Sequence, residues 1–381
     1  MDFAFTKEQQ ELRKTIISFA RNELNPGLAE RDKTSTFPRD LWDKCAEMRL
    51  MALPFPETQC GDGFDLITTM AIYHALGYGC KDAGLILALA SQLICGWTIS
   101  LFGSPEQAAR LMPNLVSGKY IYCQGITEPG SGSDGFAMRT NAVKKDDGYL
   151  LNGTKTMISN GPIADCALIY AVTDPTKKTL SKISCFHVSK DDPGFSRGKP
   201  MEKMGHRTMT NGELICTDCY VPVSSMIGRE GQGVMLFSEI VEWERVLVCA
   251  CLLGTLERVL EGCVAYAKGR EAFGKPIAEF QAISHKIAAM KMNAELGKLS
   301  LYSAASLKSR RKGAALETSV AKLFISESLK QACLDAIQIR GGYGYMAEYE
   351  VERDLRDSIA TTIFSGTSEM QLNTIARFAG L

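Results

Sequence analysis

Histidine is scarce in this chain, with four in 381 residues. His74, His187, His206 and His285 are dispersed and form no ligand spacing, so neither a histidine-built metal centre nor a Ser-His-Asp arrangement is indicated. His206, in Met204-Gly-His-Arg, reads as structural. Excess charge is missing as well: Lys plus Arg and Asp plus Glu stand at 43 each. Without a global field the chain is not built to recruit nucleic acid or an anionic membrane, and recognition has to be local. Long unbroken apolar runs are also lacking. The most apolar stretches, residues 83–101 and 246–253, are interrupted by Ser, Gln, Gly or charge and read as too short or too polar to span a bilayer. The opening Met1-Asp-Phe-Ala-Phe has no signal-peptide pattern, and no internal repeat, low-complexity tract or flexible linker is found.

Cysteine, by contrast, is plentiful. Thirteen would suggest disulfides in a short secreted chain, but here they are scattered through apolar runs, which points to a reducing, cytoplasmic setting. Cys216-Thr-Asp-Cys219 has no second pair and sits in a strand-rich region, so buried or turn thiols are favoured over a metal site. A 45% hydrophobic composition is ample for two or three domains with sizeable cores.

From Thr6 the chain reads Thr-Lys-Glu-Gln-Gln-Glu-Leu-Arg-Lys, a Thr cap and an acidic first turn, followed by apolar positions at helical spacing. Similar patterns recur at 39–48, 65–77, 82–102 and 105–111, so residues 1–120 read as a helical domain. From Tyr120 the texture changes to short β-branched or aromatic runs at 120–123, 149–153, 166–172, 183–188 and 212–216. That predicts a small antiparallel sheet domain over 121–230. Asp147-Gly148 and Asn152-Gly153 read as turns, because Gly takes positive φ without steric cost. After Gly231-Gln-Gly the helical period returns at 235–268, 277–309 and 313–339 and in a closing segment from Thr367, so 231–381 reads as an antiparallel four-helix bundle. The class is α+β, mainly α. The cluster Lys308-Ser-Arg-Arg-Lys312 fits a solvated loop between helices.

Near the end, Arg356-Asp-Ser-Ile-Ala-Thr-Thr-Ile-Phe-Ser-Gly-Thr-Ser-Glu-Met-Gln371 breaks an apolar run at Ser365-Gly366 and resumes as a polar, helix-like segment. Thr367 or Ser368 is placed to cap that helix, with Glu369 in its first turn; its free N–H groups suit an anionic ligand or a flavin edge. Where helices give way to strands stands Gly125-Ile-Thr-Glu-Pro-Gly-Ser-Gly-Ser-Asp134. This segment resembles the T-E-P-x-x-G-S-D signature of the acyl-CoA dehydrogenase family. The resemblance continues in order through Lys155-Thr-Met-Ile-Ser-Asn-Gly161, Arg270-Glu-Ala-Phe-Gly-Lys275, Gln338-Ile-Arg-Gly-Gly342, and Arg356-Asp-Ser with Gly366-Thr-Ser368, essentially the whole chain.

The resemblance implies FAD as cofactor. Gln124, Ile126, Thr127 and Ser133, with Ile158 and Ser159, would line the isoalloxazine and ribityl chain. Gly130, Gly132 and Ser133 suit that place, since they let backbone approach a flat ring and offer N–H and hydroxyl groups. Met157 stands where family members often carry Trp. Arg270 would meet the pyrophosphate with its fixed, permanently charged fork, and Phe273 would cover the adenine side. By resemblance these two and Gln281 come from one subunit and Gln338, Gly341 and Gly342 from its neighbour, which implies an oligomer, a homotetramer. Thr367 and Glu369 stay near the cofactor.

The family's reaction removes a proton α to a thioester and passes a hydride from the adjacent position to the flavin, so a base has to stand opposite the flavin. In many members it is the Glu before the Gly of the closing G-T-S; here that position is Ser365. Isovaleryl- and long-chain-type members place the Glu on the first long C-terminal helix, directly before an Arg. Val241-Glu-Trp-Glu-Arg-Val246 puts Glu244 there as the catalytic base, with Arg245 and Ser133 as substrate contacts. The ordinary reading of Glu244 is a surface carboxylate paired along its helix, and the base missing at Ser365 argues against it. Glu242 points to another helix face and is the natural control.

Trp243-Glu-Arg, Ser365 and Glu369-Met-Gln371 resemble a narrower group in the family, the L-prolyl-carrier-protein dehydrogenases and oxidases. The implied substrate is proline held as a thioester on the phosphopantetheine arm of an acyl or peptidyl carrier protein. The implied product is dehydroprolyl or, after further oxidation, pyrrole-2-carboxyl carrier protein, with oxygen or an electron-transfer flavoprotein as acceptor. Two rivals remain: a short branched-chain acyl-CoA dehydrogenase using the same Glu244, and a catalytically inactive module that binds a carrier protein.

Overall fold

The structure is a computed structural model that describes residues 5–177, 180–310 and 312–381. Residues 1–4, part of the opening read above as no signal peptide, and Arg311 of the basic cluster lie outside the described residues. The N-terminal part is helical: α1 Lys7–Phe19, α2 Leu28–Thr34, α3 Arg39–Glu47, α4 Leu66–Gly79, α5 Ala83–Phe102 and α6 Pro105–Val116. Short polar side chains set the starts. Thr6 with Gln9 and Ser104 with Gln107 form capping boxes, while Asp65 and Asp82 accept from the amides of Thr68 and Leu85 at 2.7 and 3.0 Å. Contrary to the sequence reading, α5 is long and apolar enough to cross a membrane, but 72% of its apolar window is buried inside the protein. Gln92, one of the interruptions, is satisfied there by the carbonyls of Leu115 and Tyr120 at 2.9 and 2.8 Å.

Strands β1 Tyr122–Gly125, β2 Asn141–Lys145, β3 Gly148–Ser159, β4 Cys166–Val172, β5 Ile183–Ser189, β6 Phe195–Arg197, β7 Asn211–Pro222 and β8 Met226–Ile227 form one sheet. Their order is β6-β7-β3-β2-β4-β5-β8, with β1 beside β4. The sheet is mixed, not antiparallel as expected: β1 and β2 both run parallel to β4. The segment joining β1 to β4 carries the 126–140 loop and a whole hairpin, long enough for the crossover that a parallel pair requires. Asp147-Gly148 does turn, with Lys145 opposite Gly148 across the hairpin. Asn152-Gly153 does not. It lies inside β3, where the register against β7 shifts, and a Cβ on Gly153 would stand 2.4 Å from Thr140 Oγ1. That glycine serves a bulge and a close backbone approach.

The C-terminal part comprises α7 Gly233–Gly269, a hairpin of β9 Glu271–Ala272 and β10 Lys275–Pro276, α8 Gln281–Ser309, α9 Ala315–Arg340, the short α10 Gly342–Tyr345, α11 Val351–Thr361 and α12 Ser368–Phe378. Packed against α4, α5, α8 and α9, the 37-residue α7 is the axis of the molecule. Two glycines bring α4 and α7 together: a Cβ on Gly77 would meet the Cys251 carbonyl at 2.1 Å, and one on Gly254 the His74 carbonyl at 2.1 Å. One core runs through both helical parts, and a second fills the β domain. Lys308, read as solvated, is buried, because Glu239 and Glu242 on α7 draw its ammonium in at 2.6 and 3.0 Å. Arg356 ties three parts together, donating to Asp32 of α2 at 2.6 Å and to the Met204 carbonyl at 3.0 Å, while the neighbouring Asp357 accepts from the His206 amide.

Candidate active site

The α7 helix and the turn after α11 meet at Glu244. Its Oε1 accepts a hydrogen bond from Ser365 Oγ at 2.6 Å across 121 positions of sequence. Ser365 and Gly366 are both left-handed, with φ of 54° and 88°. Three polar side chains fix that turn. Arg245 Nε donates to the Ser365 carbonyl at 3.2 Å, Lys322 Nζ to the Gly366 carbonyl at 2.8 Å, and Gln371 Nε2 to both, at 3.1 and 2.8 Å. Thr367 then caps α12 by accepting from the Met370 amide, with Glu369 exposed in its first turn. Arg245, assigned above to substrate, directs the rest of its guanidinium to Ser319 Oγ at 3.1 Å. Glu242 faces elsewhere, toward Lys308 and the Ala314 amide. Burial pushes the Glu244 carboxyl above the usual carboxylate range, opposed by the Ser365 hydroxyl and by the charges of Arg245 and Lys322. Burial likewise pushes the Lys322 ammonium down to about 8.

The face of α7 that carries Glu244 also carries Phe237, seven residues earlier. Phe237 meets Phe136 and Tyr170 edge-on, at centroid distances of 5.7 and 6.3 Å. Tyr170, buried on β4, is within hydrogen-bond reach of Gln124 Nε2 at 3.4 Å, so the β1 wall reaches the Glu244 face through Tyr170. The Oε1 atom of Gln124 is buried without a hydrogen-bond partner among the described residues.

The other residues expected around a flavin ring gather where the loop after β1 meets the second half of β3. Lys155 Nζ donates to the Ile126 carbonyl at 3.1 Å and the Thr156 amide to the Thr127 carbonyl at 2.9 Å. On β3, Ile158 is buried and Ser159 Oγ lies 3.4 Å from Asn211 Nδ2. Gly132 and Ser133 are exposed, and a Cβ on Gly130 or Gly132 would meet nothing within 4 Å. The loop is anchored from beneath by a buried ion pair, Lys155 with Glu128 at 2.9 Å; Glu128 also accepts from the amides of Arg139 and Thr140.

A second group lies at the far end of α7. Arg270 follows the helix with its guanidinium 5.9 Å from the Tyr343 ring and no carboxylate partner among the described residues. Phe273, at φ 53°, is 96% exposed. Gln281 opens α8, Gln338 lies exposed on α9, and an added Cβ on Gly341 or Gly342 would meet nothing within 4 Å. Among the described residues, no hydrogen bond or ion pair joins this group to the first. A cleft of about 990 Å³ opens where the end of α5 meets the start of α7, walled by Phe102, Gln107, Arg110, Arg229, Gln232 and Met235 among others.

Sequence reasoning missed Lys322, Ser319, Gln371 and the Glu128–Lys155 pair. A signal existed for Lys322, a charge within the apolar run Ser319-Val-Ala-Lys-Leu-Phe-Ile325, and for Glu128 and Lys155, which lie inside motifs already singled out. Cys216 and Cys219 are buried on β7.

The family models for the N-terminal, middle and C-terminal domains of acyl-CoA dehydrogenase match residues 6–119, 123–219 and 231–380. An acyl-CoA dehydrogenase of Bacillus subtilis is 39% identical over 373 residues, 98% of each chain. An L-prolyl-[peptidyl-carrier protein] dehydrogenase of Pseudomonas fluorescens is 37% identical over 379 residues, 99% of each. Among solved structures, prolyl acyl carrier protein oxidase AnaB superposes with a TM-score of 0.97 at 41% identity, covering 99% of this chain and 100% of the other. PigA with FAD and proline gives 0.97 at 34%, with both chains fully covered. The chain belongs to the acyl-CoA dehydrogenase family.

Proposed function

We propose that this chain oxidises proline carried as a thioester on the phosphopantetheine arm of a carrier protein, with Glu244 as the base that removes the α proton. It is an FAD-dependent oxidoreductase by family, and its residues fit that cofactor. The unpartnered Gln124 Oε1, the open Gly130–Gly132 loop, the unpaired Arg270 and the uncrowded Gly341 and Gly342 are the donors, acceptors and clearances a dinucleotide requires. Gln124, Ile126, Thr127, Ser133, Ile158 and Ser159 would hold the ring end, with Arg270, Phe273 and Gln281 and the Gln338, Gly341 and Gly342 set at the other end; Thr367 and Glu369 flank the site. FAD supplies the two-electron acceptor. Glu244 takes the proton next to the thioester, and the ring nitrogen of proline assists through an imine or enamine.

The observation that carries the reading is the place of Glu244: a carboxylate raised by burial, held 2.6 Å from the Ser365 hydroxyl, on the helix face that reaches the Gln124 wall. Likeness to AnaB, to PigA with proline and to the prolyl carrier dehydrogenase supports proline. The cleft offers a place for the arm, since its Met235 lies about 14 Å from Glu244 along the α7 axis. A second reading, oxidation of a short branched acyl-CoA, is supported by comparable identity to the Bacillus enzyme. We assign a homotetramer and, for the thirteen free cysteines, a reducing cytoplasm.

Flavin bleaching separates the readings. Prolyl-loaded carrier protein is expected to bleach the holoenzyme and isovaleryl-CoA is not; the opposite result transfers the assignment to acyl-CoA. E244Q is expected to slow bleaching by about 100-fold or more, while E242Q keeps it. Turnover unchanged in E244Q removes Glu244 as the base, and turnover absent from the parent favours a carrier-binding module. The mass of the acyl group after reaction under air and under argon counts the hydrogen pairs lost and distinguishes oxygen from an electron-transfer flavoprotein.

A further inference from the structure

We infer that Ser365 is the positioning residue of the base: its hydroxyl occupies Oε1 of Glu244 and leaves Oε2 as the atom that receives the substrate proton. The inference rests on Glu244 being the base. An ionised carboxylate only accepts hydrogen bonds, and a serine hydroxyl has one proton to give. Ser365 gives it to Oε1 at 2.6 Å, and Oε2 has no hydrogen-bond partner among the described residues. One oxygen is fixed and the other is free, which sets both the direction and the identity of the attacking atom.

The arrangement around the pair keeps it so. Two cations stand near Glu244, and neither pairs with it. Arg245 is turned to the Ser365 carbonyl and Ser319, and Lys322 to the Gly366 carbonyl. Their charges favour the ionised form from a distance, whereas a direct ion pair would occupy the free oxygen and quench its basicity. The same bonds hold Ser365 at a φ of 54°, where an L-residue does not rest unaided, so the turn is clamped in the one conformation that aims the hydroxyl at α7. Serine also keeps a second carboxylate out of this position; a Glu at 365 beside Glu244 would drive one of the two to hold its proton. The remaining titratable groups facing Glu244 are Tyr170 from β4 and Cys95 from α5, both pushed up by burial and therefore neutral near neutral pH.

The test needs no substrate for its main readout. In the holoenzyme, the protonated Glu244 carboxyl is identified by difference infrared spectroscopy against E244Q and titrated with pH in the parent, S365A and S365G. Both variants lack the hydroxyl, and Gly adopts the left-handed turn freely, so agreement between them separates the hydroxyl from backbone strain. The expected result is an upward move of the Glu244 midpoint in both. The acid limb of kcat is expected to move with it, and kcat at neutral pH to fall about tenfold with KM nearly constant. A midpoint in S365G equal to that of the parent overturns the inference. E244Q turning over like the parent instead removes the base assignment itself, whatever position 365 does.

Discussion

Glu244 has to be ionised to accept a proton, while burial raises its carboxyl above the ordinary range. The two demands oppose each other in stability. Between the unfolded and the folded value the native state binds the extra proton, so stability falls as pH rises through that window. Below it the carboxyl is neutral in both states and nothing is lost; above it the full cost is present. E244Q carries no charge at any pH. It is therefore expected to melt about 2 °C higher than the parent at pH 8 and to lose that advantage below the ordinary Glu range. Calorimetry at the two pH values, each with flavin occupancy checked, measures this. Equal melting temperatures at pH 8 contradict a buried, ionised Glu244. The proposed activity runs the other way, fading as pH falls through the raised value. If the removal of the proposed base stabilises the protein, its surroundings, Ser365, Lys322 and Gln371 among them, serve chemistry and not stability.

At the scale of elements, the position of Glu244 depends on how closely α7 can lie against its neighbours. Gly77 and Gly254 allow α4 and α7 to touch backbone to side, and a Cβ at Gly254 has no room, with the His74 carbonyl 2.1 Å away and the Tyr78 amide at 2.6 Å. Both obstacles are backbone, so the helices themselves have to separate. G254A is expected to cost about 3 kcal/mol, at the upper end for overpacking, read as a shift in the denaturation midpoint at constant slope. Helix starts were legible in the sequence where the cap is local, as at Thr6, Asp65, Asp82 and Ser104. By contrast α11 escaped: it follows Glu350 in a left-handed conformation with no side-chain cap, and although its buried Arg353 pairs locally with Glu350 at 3.0 Å, its buried Asp357 is matched by the His206 amide, remote in sequence. The parallel pairing of β1 with β4 escaped for the same reason, since register between strands some forty residues apart has no local trace. The meeting of Glu244 with the turn at Ser365 was legible through the Glu-Arg motif and the serine at 365. Lys322 left only the trace of a charge inside an apolar run, and its partner left none, because the Gly366 carbonyl lies 44 residues on.

The whole molecule leaves one face unfinished. On α8, Met292, Leu296 and Leu299 are 56%, 45% and 50% exposed, at spacings of four and three that set them in one stripe. The opposite face of the same helix, at Met290, Ala294, Gly297 and Leu301, is buried. A helix apolar on two sides has a partner on each, and among the described residues only one is supplied. Just before the start of that helix Phe273 stands in the open, as does Tyr345 two residues after the Tyr343 ring that faces Arg270, so both lie close to the residues assigned to the far end of the dinucleotide. Further copies of the chain covering this face would complete that site as well, so assembly and cofactor retention are expected to fail together. L296E with L299E places charge in the stripe without touching Glu244, Arg270 or the glycine loops. Light scattering on the purified double variant is expected to give a mass well below that of the proposed tetramer, with flavin binding weakened about tenfold or more. A tetramer that survives both charges moves the interface elsewhere, and a monomer that keeps its flavin breaks the link between the two, because Arg270 would then hold the dinucleotide using this chain's residues alone.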